Sequence, residues 1–376
     1  MRKNVHIMKF DVTLPYNDLP DLPPTQDIET KGILKKCIEA RAALAELYKA
    51  AEMLPNQSVL INTLPLLEAQ ASSEIENIVT TSDKLFQYAD HLSEGQMDVA
   101  TKEALRYRAA LKEGVDRIKK RPINTVLSEE LCSIIRGTNM LVRTVPGTAL
   151  SNQATREIIY TPPEGASLIR DKLYNWEKFL NTENNIDPLI KMAVGHYQFE
   201  AIHPFTDGNG RTGRILNILY LIEQKLLSIP VLYLSRYIIR NKSKYYKYLL
   251  NVTQHDDWES WIIYMLDAVE DTSKWTCAKI TVIVELMRET REHVKKNLPG
   301  IYSSELVDIL FVQPYCRISN LVEANIAQRQ AASDYLKKLA KIKVVEEVER
   351  GREKIFINPR FMSVLLNENN TYTNFD

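Results

Sequence analysis

Glycine is scarce in this chain, 12 of 376 residues, about half the usual share of roughly 7%. A chain so poor in the residue that makes tight turns is not a hairpin-rich all-β protein, and a mainly α fold is expected. Paired cysteines are missing too. Cys37, Cys132, Cys277 and Cys316 are far apart, with no metal-ligand or redox spacing. A disulfide framework is therefore excluded, and reduced thiols in a cytoplasmic protein are expected. Neither charge is in excess: 48 basic residues face 48 acidic ones. That balance excludes a nucleic-acid coat and an acidic solvating chain, though not local patches. No run approaches roughly 18 consecutive apolar residues, so no membrane helix is expected, and the N-terminal segment lacks the apolar stretch of a signal peptide. What is present is a hydrophobic share of 45%, enough for two or three globular domains and too much for wholesale disorder.

The pattern along the chain divides it into five parts. Prolines mark residues 1–26 as an extended arm. Residues 27–97 form an N-terminal helical region. Ile33, Leu34, Cys37, Ile38, Leu44, Leu47 and Tyr48 supply helical spacing over 27–53. A helical pair follows over 58–90, with Pro65 suited to a first turn. Residues 98–290 form a core, opening with a charged helix over 98–119. Within it, the β-branched and aromatic residues of 141–163, set between Pro146-Gly147 and Pro162-Pro163, predict a short hairpin. Helical periodicity returns over 168–180 and 187–202, and the run 213–227 is apolar nearly all round, the mark of a buried central helix. Pro299-Gly300 is a boundary. Beyond it, residues 300–362 read as three helices over 303–311, 317–324 and 328–341 and a hairpin of Val344–Val348 and Lys354–Ile357, the order of a winged helix. A polar tail, 363–376, closes the chain.

One stretch concentrates chemistry: His203-Pro204-Phe205-Thr206-Asp207-Gly208-Asn209-Gly210-Arg211-Thr212-Gly213-Arg214. Pro204 disfavours helical geometry in the residue before it. The buried helix starts near Asn209–Arg211. Asp-Gly-Asn-Gly between them tolerates positive φ, so backbone N–H groups and the helix dipole converge on an anion. Arg211 and Arg214, three apart on the first turn, both face that anion with forks that suit phosphate. Asp207 is a hard oxygen ligand for Mg2+ beside phosphates, and His203 is a usable general base. An anion cradle, two guanidiniums, one metal carboxylate and one base suggest phosphoryl or nucleotidyl transfer from a Mg-nucleotide. No G-x-x-x-x-G-K-[ST] loop is present, which excludes a P-loop.

The segment matches H-P-F-x-[D/E]-G-N-G-R-x-x-R at every fixed position and so resembles the Fic family. The likeness continues through His196, Phe199, Leu234-Ser235, Asn241 and Tyr245-Tyr246, over most of 27–275. It implies a Fic-type helical core and transfer of AMP from ATP to a Ser, Thr or Tyr hydroxyl of a protein, the chain itself included. His203 then takes the hydroxyl proton, Asp207 holds Mg2+, Gly208, Asn209 and Gly210 cradle the α- and β-phosphates, and Arg211 engages the phosphates. Arg214 holds the γ-phosphate, and Phe205 anchors the loop. Asn241, Tyr245 and Tyr246 are adenosine-pocket candidates, although helix packing explains the tyrosine pair equally well. The hairpin at 145–163 corresponds to the family's flap, which pins a protein substrate by strand addition. Ser72…Glu76-Asn77 fits the family's inhibitory pattern [S/T]-x-x-x-E-[G/N]. Ser72 and Glu76 share a helix face, and the Glu76 carboxylate would pair with Arg214 in place of the γ-phosphate.

Between Ala324 and Arg360 nine basic residues outnumber five acidic ones. That excess is compatible with a DNA or protein partner at the winged helix and equally with a solvated face at Lys337, Lys338 and Lys341, and a homodimer that buries or exposes the inhibitory helix is compatible with the pattern. His196 reads as a packing residue; His6, His91, His255 and His293 have no site-like neighbours. Three other readings stay open: removal of AMP from a modified protein, transfer of another phosphate-bearing group, and a DNA-binding regulator whose Fic core senses nucleotide.

Overall fold

The computed structural model describes residues 10–54, 56–89, 97–151, 155–350 and 353–375. Among them it is mainly helical, with two small antiparallel sheets. The chain clusters into two compact units. One gathers residues up to Ala42, Arg106–Leu226 and Leu234–Glu270. The other gathers Ala43–Leu105, Leu227–Tyr233 and residues from Asp271 onward. The five parts expected from the sequence divide the chain differently.

The first unit is built around α7 (Pro188–Ile202) and α8 (Asn209–Glu223). Almost every residue of both is buried, as continuous apolar runs require. α6 (Ala166–Asn181) packs on α7, and α5 (Thr125–Arg136) packs on α8. Trp176 and Trp261 are fully buried here and donate their indole N–H groups to the carbonyls of Gly195 and Ala193, at 2.9 and 2.8 Å. The hairpin is present but small: β1 (Leu150–Ser151) pairs antiparallel with β2 (Ile158–Tyr160). Residues 152–154 of the expected flap lie outside the described residues. The described part of the arm, residues 10–26, packs on this unit. Tyr16 N–H donates to Thr161 O at 3.0 Å, and the Asn175 amide brackets the backbone of Leu22 at 2.7 and 3.0 Å.

The second unit contains α2 (Ser58–Ile75), α3 (Ser82–Tyr88), α12 (Ser304–Val312) and α13 (Ile318–Glu323). α14 (Arg329–Lys341), α15 (Pro359–Leu366) and a three-stranded sheet complete it. The strand order is β3 (Tyr315–Cys316), β5 (Glu353–Ile357), β4 (Glu346–Arg350). α12 packs on α2, Tyr315 OH donates to Asp83, and Arg317 donates to Gln87 O at 3.1 Å. The C-terminal elements and the α2–α3 pair therefore share one packing unit. α15 and β3 were not foreseen. α15 enters the expected polar tail because Lys279, fully buried, donates to the carbonyls of Val364, Leu365 and Asn367 at its C-terminal end.

α1 (Lys31–Met53) follows the expected helical spacing, burying Ile33, Cys37, Ala40, Leu44 and Leu47 and leaving Leu34 and Ile38 exposed, Ile38 at 69%. One local expectation is corrected. Pro65 lies well inside α2 rather than in a first turn. The thirteen buried residues of that helix outweigh the loss of one i→i−4 hydrogen bond.

Candidate active site

The site begins where α7 stops. Asp187 caps its start, its carboxylate accepting Leu189 N–H at 2.8 Å. At the other end Pro204 prevents continuation, and His203 becomes the C-cap in the left-handed region, φ 50° and ψ 59°. This conformation is uncommon for a non-glycine residue. His203 is half-buried.

The loop from Pro204 to Gly208 is closed by one side chain. The Asn209 amide accepts Phe205 N–H at 2.8 Å and donates to Phe205 O at 2.7 Å. Phe205 is fully buried against Phe199, rings 6.3 Å apart. Of the Asp-Gly-Asn-Gly run only Gly208 has positive φ, 86°. It is the N-cap of α8, and a Cβ there would meet Cys132 Sγ at 3.2 Å. Asn209 and Gly210 are already helical, so the anion-facing N–H groups belong to the first turn of α8, which has no intrahelical acceptors. The Asn209 side chain is spent on the loop, which leaves its backbone for the cradle. Thr212 Oγ1 ties back to Gly208 O at 2.9 Å.

Arg211 and Arg214 are each only 1% exposed, whereas the Asp207 side chain is 55% exposed. Asp207 lies 3.8 Å from Arg211 and 3.1 Å from Arg136. Cys132 Sγ donates to Asp207 O at 3.3 Å, and burial pushes that thiol up to about 12, away from thiolate chemistry. Mg2+ takes one or two carboxylates, with phosphate oxygens and water completing its octahedron. Asp207 offers one exposed carboxylate at the anion-facing loop, which fits that part-site. No cluster of three His, Cys, Asp or Glu side chains forms an all-protein cage among the described residues.

Beneath Arg214, His196 is wholly buried. Its Nε2 pairs with Tyr245 OH at 2.8 Å, and it stacks on Trp261. Burial, helped by the charge of Arg214, depresses its pKa to about 3. It is a neutral packing residue. Gly213 makes room for it: a Cβ would meet Glu200 Oε1 at 2.6 Å and the His196 ring at 3.3 Å. Gly213 is thus a helix-packing glycine and not part of the loop. Tyr245 is 1% exposed and faces this core, while Asn241 binds Tyr237 O at 3.0 Å. Of the adenosine-pocket candidates only Tyr246, 44% exposed, offers an open face, because neighbouring residues on α10 (Lys242–His255) point about 100° apart.

Sequence reasoning missed Arg136, Cys132 and Arg143. Arg143, 4% exposed, donates to His203 O at 2.8 Å, Ile202 O at 3.3 Å and Pro163 O at 2.5 Å. No motif could reveal contacts across 60 residues.

In the second unit, Ser72 is buried within α2. Glu76 is half-buried as the C-cap just past the helix, and Asn77 is left-handed at φ 61°. On α14, Lys337, Lys338 and Lys341 are exposed. Lys354 pairs with Glu347 at 2.5 Å and Glu349 at 3.7 Å, and Arg360 donates to the carbonyls of Lys343, Thr373 and Asn374, so both side chains are held in place. Arg352 of the wing lies outside the described residues, as do His6 and His91.

With a half-buried histidine at one helix end and a guanidinium-lined helix start at the other, the corner is the one the signature encodes. Two family descriptions cover it and its approach: Fic/DOC family over residues 126–221 and Fic/DOC family N-terminal over 34–116. Fic/DOC family domains therefore occupy these two stretches of the chain. A third, the C-terminal domain of SoFic-like protein adenylyltransferases, matches 286–361. A probable protein adenylyltransferase of Aquifex aeolicus is 43% identical over 79 residues, 21% of each chain. Protein adenylyltransferase Fic of Drosophila willistoni is 25% identical over 152 residues, 39% of this chain and 29% of the relative. The chain thus spans less than a third of the length of the curated relatives it matches. The fold is shared with a Fic family protein from Desulfovibrio desulfuricans, with a TM-score of 0.56 at 17% identity, over 89% of this chain and 98% of that one.

Proposed function

We propose that this Fic protein transfers AMP from ATP to a hydroxyl side chain of a protein. The observation that carries the reading is the α7–α8 corner, where one half-buried histidine, two buried arginines and the open first turn of α8 come from twelve consecutive residues. Its nearest support outside the chain is that the matched relatives bear the name protein adenylyltransferase.

In this reading the first-turn N–H groups of α8 and Arg211 bind the α- and β-phosphates, and Arg214 binds the γ-phosphate. Asp207 would hold Mg2+, which supplies charge neutralisation at the phosphates. His203 takes the proton of the target hydroxyl as that oxygen bonds to the α-phosphorus. The bond from the α-phosphorus to the bridging oxygen breaks, and pyrophosphate leaves. The hairpin over 145–163 holds the target backbone. Its exposed Ile158 and Ile159 give that segment apolar surface to lie on.

The Ser72…Glu76-Asn77 pattern supports a built-in brake: the Glu76 carboxylate, paired with Arg214, takes the place of the γ-phosphate and leaves the α-phosphate out of line. The test uses ATP labelled at the α-phosphate, with intact mass as a second readout. Glu76→Gly is expected to raise self-labelling severalfold, each addition having the mass of AMP. Adding His203→Ala should abolish transfer while ATP binding survives. Equal labelling by wild type and Glu76→Gly would remove the brake, and transfer by His203→Ala would remove the base.

A further inference from the structure

We propose that Arg143 and Tyr160 are positioning residues that lock both ends of the hairpin to the last turn of α7, so that the target platform and His203 move as one piece. The proposal rests on the transfer reading above and extends it to how the hydroxyl is brought into register with its base.

The last carbonyls of any helix lack intrahelical partners. In α7 those of Ala201, Ile202 and the C-cap His203 are all taken by the hairpin segment. Tyr160 OH donates to Ala201 O at 2.8 Å. Arg143 donates to Ile202 O and His203 O, and its own N–H donates to Pro204 O at 2.9 Å. The same guanidinium reaches Pro163 O, at the far end of the hairpin. One fork therefore joins the segment's entry, its exit and the carbonyl of His203.

Charge chemistry makes this arrangement selective. Every hydrogen bond that the Arg143 side chain makes among the described residues ends on a main-chain carbonyl. Burial lowers its pKa, partly opposed by the charge of Glu164, and a guanidinium buried with no hydrogen-bonded carboxylate is costly. Its place at the negative end of α7 offsets part of that cost. A leucine would fill the space more cheaply, but only a planar fork bridges three carbonyls on two segments. The bridge also braces His203 in a left-handed conformation that is itself unfavourable. From the other side the arm clamps Tyr160: Phe10 stacks on its ring at 6.1 Å, and Tyr16 meets it edge-on at 6.3 Å.

The test compares Tyr160→Phe, Arg143→Lys and Arg143→Gln in the full chain. Peptide-resolved hydrogen exchange is read at 143–163 and 199–205, beside ATP affinity and transfer kinetics. In Tyr160→Phe and Arg143→Gln, exchange in both segments should rise together, by about tenfold, while 209–223 stays protected. The kcat for transfer should fall by about tenfold or more, with the Kd for ATP within about twofold and Arg143→Lys intermediate. Faster exchange confined to the hairpin, or no change in either segment, overturns the lock. So does a loss of ATP binding in step with kcat, which marks a merely structural role. Kinetics are read in the Glu76→Gly background and exchange without any turnover, so a Glu76→Gly chain that transfers no AMP refutes the transfer reading while the lock is still decided. Tyr160→Phe keeps the ring between Phe10 and Tyr16 and tests the lock even if Arg143→Gln does not fold.

Discussion

His196 shows how a side chain of catalytic type can be kept out of the chemistry. Its folded pKa of about 3 lies below the ordinary value of 6.5, so the unfolded chain binds a proton in that window and the native chain does not. Stability is therefore lost as pH falls from about 6.5 toward 3, and is unaffected by this group above that range. Between pH 7 and pH 5 the loss from His196 alone is expected to be about 2 kcal/mol. Urea titrations at the two values should show it in wild type and much less of it in His196→Gln, which keeps an acceptor for Tyr245. Equal slopes in the two proteins would show that His196 is not held neutral. The residue was legible as a packing residue in the sequence, and its depth agrees: His196 is 2% exposed, while His203, seven residues on, is half-buried at the corner.

At the scale of elements, α7, the loop and α8 were legible because their instructions are local: Pro204 ends one helix, Gly208 turns the chain, and continuous apolar residues bury the next helix. Asn209 is the element's fastener. Asn209→Ala would strip two buried backbone groups of Phe205 of their partners, at about 2–4 kcal/mol. A drop of that size in urea midpoint, without a change in m-value, is the expected result. The pairing of β1 with β2 was foreseen from β-branched residues, but the tertiary bonds of Arg143 and Tyr160 that hold the segment were not. The helical spacing that includes Leu34 and Ile38 was legible, but a periodic pattern gives the spacing of a face and not its width. Arg136 and Cys132, which border Asp207, were invisible for a simpler reason: α5 lies some 70 residues upstream, and nothing in its own sequence names its neighbour.

For the molecule as a whole, composition foretold a mainly helical fold and the absence, among the described residues, of any helix long and apolar enough to cross a membrane. It could not foretell that α2 and α3 pack with the C-terminal elements. Trp275 and Lys279 of α11 (Trp258–Asn297) also anchor the end of the chain, through Glu368 O and the α15 carbonyls. Removing residues 300–376 should therefore do more than delete a module. It strips α2 of its cover at α12 and α3 of its bonds to Tyr315 and Arg317. Limited proteolysis of the truncated chain is expected to cut within 58–90 much faster than in the full chain. Equal resistance would show that α2 stands without the C-terminal elements. By mass action, a ligand that recognises only the assembled C-terminal sheet would also favour the ordered α2 that carries Glu76. On the proposed brake, a binder of that kind would act as a remote rheostat, turning AMP transfer down with no contact at the nucleotide.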